Sequence, residues 1–61
     1  MLEYGEKVLV WDGAEAEWYP WVYEIIEFNG NTYKACQYGN DENELKGLYP
    51  DEIKSLKDIQ L

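Results

Sequence analysis

The sequence predicts an all-β domain, a small five-stranded barrel with one 3₁₀ turn ahead of its last strand. Three observations predict it. The chain breaks into five short runs of strand-forming residues separated by turn signals. Asn29-Gly30 is the strongest local hairpin signal, because a type I′ turn needs positive φ at both central residues. Pro50-Asp51-Glu52-Ile53 then reads as a single 3₁₀ turn, with proline presetting φ.

Each element has a local reason. Residues 6–11 (EKVLVW) are rich in β-branched and aromatic types and close on Asp12-Gly13, so they form strand one. Residues 14–17 (AEAE) are too few to nucleate a helix and read as loop. Residues 18–28 form the longest strand, with Pro20 placing its start at a sheet edge or corner. The return strand is 31–38, residues 39–43 are a polar loop, and 45–49 a short fourth strand. Residues 54–56 make the fifth strand, and 57–61 a tail in which Ile59 either packs or frays.

A two-residue turn sets Phe28 opposite Asn31, Ile26 opposite Tyr33, Glu24 opposite Ala35 and Trp21 opposite Tyr38. The apolar residues near the turn (Phe28, Ile26, Tyr33) and at the open end (Trp21, Tyr23, Cys36, Tyr38) then fall on opposite faces. A β-bulge at the adjacent Ile25 and Ile26 reconciles them and bends the strand. Phe28, Tyr33 and Ile26 are expected in the core, with Trp21, Tyr23 and Cys36, a protein interface being the alternative for Trp21 and Tyr23. Five bent strands with one tight hairpin indicate an SH3-like barrel; the OB-fold, which needs more residues and a helix, ranks second.

With 61 residues the chain is one domain with one core, spanning 6–56. Three Trp, six Tyr and one Phe are too many rings for so small an interior, so some reach the surface. Thirteen acidic residues against five lysines give a net charge of −8. Phosphate backbones are repelled, so direct nucleic-acid binding is not expected. Anionic membranes are disfavoured too, and a basic protein or cationic ligand is favoured. The single Cys36 permits no internal disulfide, which suggests a reducing intracellular compartment, cytoplasm or nucleus. No apolar run is long enough for a transmembrane helix.

Catalysis is not expected, since Cys36 has no histidine to act as its base. The run Asp41-Glu42-Asn43-Glu44 lacks the glycine and spacing of a calcium loop, so neither metal nor cofactor is expected.

Taken in order, several motifs resemble the Tudor domain, a methyl-ligand reader of the SH3-like class. They are Val8-Leu9-Val10-Trp11-Asp12-Gly13, Trp18-Tyr19-Pro20, Tyr38-Gly39-Asn40-Asp41-Glu42 and Leu48-Tyr49-Pro50-Asp51-Glu52-Ile53. The resemblance spans residues 7–56. It implies a cage with Trp11, Tyr19 and Tyr38 as walls and Asn40 as polar partner, taking a methylated arginine or lysine. The chain departs from the pattern at Ala35, where a fourth wall is common, and at Trp21, where a small residue is usual. Physical chemistry supports the implied guest: ring faces attract poorly hydrated cations, and Asn40 can accept a remaining N–H.

Two uses follow. One is a protein-binding module whose rim of Trp11, Tyr19, Tyr38 and Asn40 takes a cationic group on a basic protein. The other is an acidic inhibitor or nucleic-acid mimic, of the sort phages and mobile elements encode. It would bind a host protein through Asp41, Glu42 and exposed Trp18 or Trp21. Spare surface aromatics also allow a homodimer.

Overall fold

Alternation decides the first strand. In β1 (Lys7–Asp12) Val8 and Val10 are fully buried while Lys7 is exposed and Leu9 half-buried, as a two-residue period requires. The computed structural model, which describes residues 2–58, is an all-β antiparallel sheet built around this strand. At its end, the Asp12 Oδ1 accepts the N–H groups of Ala14 (3.0 Å) and Glu15 (3.4 Å), and the chain turns through Ala16 at φ 54°. It returns as β2 (Glu17–Trp18), with Trp11 opposite Trp18 and Asp12 opposite Glu17.

The expected single strand over residues 18–28 is broken in two. After β2 the backbone leaves the ladder over residues 19–22 and resumes as β3 (Tyr23–Phe28). Pro20 has no N–H to donate, and the stretch is tied down only singly. The Tyr19 N–H donates to Val10 O (2.9 Å), and Val22 O accepts from the Tyr38 N–H (2.8 Å). The separate Glu17–Trp18 segment makes six strands where five are expected.

The hairpin to β4 (Tyr33–Gln37) keeps Asn29-Gly30 but not the expected turn. Asn29 Oδ1 accepts from the Asn31 N–H (3.1 Å), the Thr32 N–H (2.9 Å) and the Thr32 hydroxyl (3.3 Å). One side chain thus organises a four-residue loop, and only Gly30 has positive φ, 100°. Phe28 consequently faces Tyr33, not Asn31, and Ile25 faces Ala35. The expected bulge is present. Ile25 pairs with Ala35 and Glu27 with Lys34, which leaves Ile26 as the extra residue. Ile25 is buried and Ile26 half-buried, which corrects the assignment of Ile26 to the core. Phe28 is also not core: it is 42% exposed, stacked on the buried Tyr33 at 4.5 Å.

Residues 39–43 are not the expected loop. Tyr38 and Gly39 alone connect β4 to β5 (Asn40–Leu48), with Gly39 at φ 86° and Gln37 opposite Asn40. The next partner of β4 is Glu44, opposite Cys36, so Asp41, Glu42 and Asn43 bow out of the ladder. An outermost strand tolerates such composition because water satisfies its free edge. Toward its end β5 turns inward: Leu45 packs against the core, and Leu48, opposite Tyr33, is buried.

The 3₁₀ turn is where the sequence puts it, at Pro50–Glu52. The Tyr49 N–H donates to Glu52 Oε1 and the Glu52 N–H to Tyr49 O, both at 2.9 Å. The last strand is β6 (Ile53–Ser55), one residue earlier than expected, and Leu56–Asp58 forms a second 3₁₀ turn. The expectation for Ile59 lies outside the described residues. β6 pairs with β1 (Val8 opposite Ser55, Val10 opposite Ile53), while β1 also carries β2 and β3. The strand order is β2-β1-β3-β4-β5 with β6 on β1. Among the described residues no ladder joins β5 to β6, so the sheet does not close.

The core is Val8, Val10, Tyr23, Ile25, Tyr33, Ala35, Leu48 and Ile53, with Leu2, Tyr19 and Leu45 packed against it. Two of its eight buried members are tyrosines, which supply the area a small interior lacks. Ser55 is the buried polar residue, and its hydroxyl donates to Glu6 Oε2. Among the described residues no helix is long and apolar enough to cross a membrane.

Candidate binding surface

The rings singled out in the sequence fall into three groups. Trp11 is the penultimate residue of β1 and Trp18 ends β2; as direct cross-strand partners they meet edge to face, centroids 5.3 Å apart at 79°. That geometry sets the positive rim of one ring against the negative face of the other. Tyr19 is half-buried and leans on the core ring of Tyr23 at 6.1 Å. Tyr38 stands in the β4–β5 turn, 61% exposed. Among the described residues no ring–ring contact links Tyr38 to Trp11 or Tyr19.

Backbone bonds nevertheless hold the surroundings of these rings in place. Tyr38 is fixed to Val22, next to Trp21, whose indole is 48% exposed. Asn40 is exposed and follows Tyr38 across the two-residue turn, so phenol and amide share one corner. Asp41 and Glu42, both exposed, continue from that corner. Trp18 is 39% exposed beside Trp11. Trp21, expected in the core, is on the surface because the chain leaves the ladder over residues 19–22, whereas Tyr23, back in β3, is inside as expected.

Charge is concentrated at the same end. The Cys36 thiol is pushed above its ordinary value, first by desolvation and then by the carboxylates of Asp41, Glu44 and Glu24. Its Sγ lies 3.3 Å from Asp41 O, which draws the bowed segment back onto β4. Asn43 spans the bow from within, its Nδ2 donating to Gln37 Oε1. Tyr23 beneath has its phenol pushed up, by burial first and by Tyr19 second, while Asn43 acts in the opposite sense. Among the described residues no cluster of His, Cys, Asp and Glu suits a metal ion.

One participant escaped the sequence reading. Lys7 Nζ sits 5.0 Å from the Tyr38 ring centroid and 3.4 Å from Glu24 Oε2. Lys7 and Glu24 are cross-strand partners. That register between β1 and β3 follows from how the sheet assembles, and no local motif announces it.

Three concavities lie away from these rings. One of about 430 Å³ runs between the N-terminal segment and the last strand, lined by Leu2, Glu6, Tyr33, Pro50 and Ile53 among others. A second, of about 420 Å³, is bounded by Tyr4, Gly5, Lys7 and Leu56. A third, of about 80 Å³, lies between Leu2, Tyr4, Ile25 and Phe28. Trp11, Tyr19, Tyr38 and Asn40 line none of them. No family model, curated protein or solved structure matches this chain. The fold and surface define a small acidic all-β domain with several exposed aromatic rings.

Proposed function

We propose that this chain is a non-catalytic protein-binding module of the SH3-like, Tudor-type class, whose aromatic rim takes a cationic group on a basic protein. The observation that carries the reading is Tyr38: an open phenol ring that already has an ammonium at 5.0 Å. A ring face in that state is a cation acceptor, with attraction of roughly 0.5–2 kcal/mol depending on desolvation. Asn40 supplies an amide next to it, and Asp41, Glu42 and Glu44 supply a long-range field that salt weakens. Trp11, paired with Trp18, and Tyr19, leaning on Tyr23, are further ring faces this reading offers to the ligand, apart from the Tyr38 ring.

The test is a titration with methylated and unmethylated Arg and Lys peptides, following tryptophan fluorescence and amide shifts. Shifts centred on Tyr38, Asn40, Trp11 and Tyr19, with Tyr38→Leu weakening binding about 2- to 30-fold, are expected from the attraction above. Shifts confined to β6 and the N-terminal segment would exclude the rim.

A second reading is favoured by the convergence of Asp41, Glu44 and Glu24 around Cys36. Here the acidic face, with the exposed Trp18 and Trp21 as further contacts, blocks a host protein or mimics nucleic-acid charge. Saturation only by an unmodified protein, abolished by charge reversal at Asp41, Glu42 and Glu44 and indifferent to Tyr38→Leu, selects this reading.

A further inference from the structure

We infer that Lys7 is a built-in competitor for the proposed cation site, occupying the Tyr38 ring until a ligand displaces it; the inference rests on the reading of Tyr38 as a cation acceptor. Two groups place the ammonium. Glu24, directly opposite Lys7 across the β1–β3 ladder, holds Nζ at 3.4 Å, and the Tyr38 ring lies 5.0 Å away. The ring belongs to the β4–β5 turn and is anchored to Val22 just before β3, so the three strands that fix ring, carboxylate and ammonium share one continuous sheet. Tyr38 is mostly open to solvent, and Lys7 and Glu24 are both partly exposed, so nothing locks the ammonium in place. A contact of this strength is reversible.

The consequence follows from occupancy. A ligand that needs the ring free binds with its intrinsic affinity reduced by the fraction of time the ring is open. At 0.5–1 kcal/mol for an exposed cation–π contact, Lys7 covers the ring for most of the time, and removing it strengthens binding about three- to sixfold. The same factor applies to methylated and unmethylated probes, because competition acts on the free protein.

The test compares the wild-type chain with Lys7→Met, using a trimethyl-lysine peptide and its unmodified counterpart. Removing any lysine also makes the net charge of −8 more negative, so Lys54→Met, on β6 and away from Tyr38, is the control. The expected result is a three- to sixfold gain for both peptides in Lys7→Met, a smaller gain in Lys54→Met, and, in a Tyr38→Leu background, no gain from Lys7→Met beyond that of Lys54→Met. In the free protein, the Lys7 ε-methylene protons are shifted upfield by the ring and lose that shift in Tyr38→Leu. Equal gains in Lys7→Met and Lys54→Met, or an unshifted Lys7 signal, overturn the inference while leaving the binding site standing. No binding by any of the proteins overturns the proposed function and this inference with it.

Discussion

The bulge at Ile26 is the feature on which the interior depends, and substituting the two adjacent isoleucines measures it. In the structure Ile25 is 1% exposed and packed with Tyr23, Tyr33 and Ala35, whereas Ile26 is the unpaired extra residue and half-buried. Ile25→Ala would remove about 2–5 kcal/mol. A domain of this size holds only about 3–9 kcal/mol in total, at roughly 0.05–0.15 kcal/mol per residue, so that variant would unfold in part. Valine is the usable probe. Ile25→Val should cost about 0.5–1.5 kcal/mol, a Tm lower by about 2–12 °C at the 4–8 °C per kcal/mol of a small domain. Ile26→Val, with a face in water, should stay within about 0.5 kcal/mol. Urea denaturation followed by tryptophan fluorescence gives both values, and thermal circular dichroism repeats them. Equal losses at the two sites, or a larger loss at Ile26, would mean that the strand alternates without interruption and that Ile26 faces Tyr33.

Other perturbations test other parts of the structure. Asn29→Ala should destabilise the hairpin by about 1 kcal/mol through its three lost acceptor contacts, while Asn29→Asp, which keeps the acceptor, should lose far less in the same urea assay. Ala16→Gly should stabilise the chain by about 0.5–1 kcal/mol, since Ala16 sits at φ 54° and the left-handed cost to a Cβ exceeds the glycine entropy it would incur. The Glu6 carboxyl is held below its ordinary range, first by the Ser55 hydroxyl and then by the Glu3 backbone. A depressed folded-state pKa gives stability that is full above the unfolded carboxylate value and lost as pH falls through the folded one. Glu6→Gln should therefore be less stable than wild type at pH 7, with the gap closing on acidification in melts from pH 7 to pH 2. Cys36 should alkylate slowly with iodoacetamide at pH 8 and faster in Asp41→Asn, because the neighbouring carboxylate helps to hold the thiol protonated.

What the chain's order of residues determined was local chemistry. β-branched runs bounded by Asp12-Gly13 and Asn29-Gly30, the adjacent Ile25 and Ile26, and Pro50 opening a turn were enough for an all-β reading, a bulge and a 3₁₀ turn, because each depends on a few neighbouring dihedrals. The excess of rings likewise implied surface aromatics, and Trp18 and Tyr38 are exposed, as is Trp21, expected in the core. Tertiary structure decided the rest. Whether the polar residues 39–43 were loop or strand depended on β4 offering an edge to pair with, and whether Phe28 was core depended on how many residues the Asn29 side chain could gather into one loop. The meeting of Lys7, Glu24 and Tyr38 is the clearest case: these residues are remote in sequence, and only the pairing of β1 with β3 and the tie from Tyr38 to Val22 bring an ammonium, a carboxylate and a ring to one corner. Register between distant strands is set by the summed burial of a whole face, a quantity that no short stretch of sequence contains.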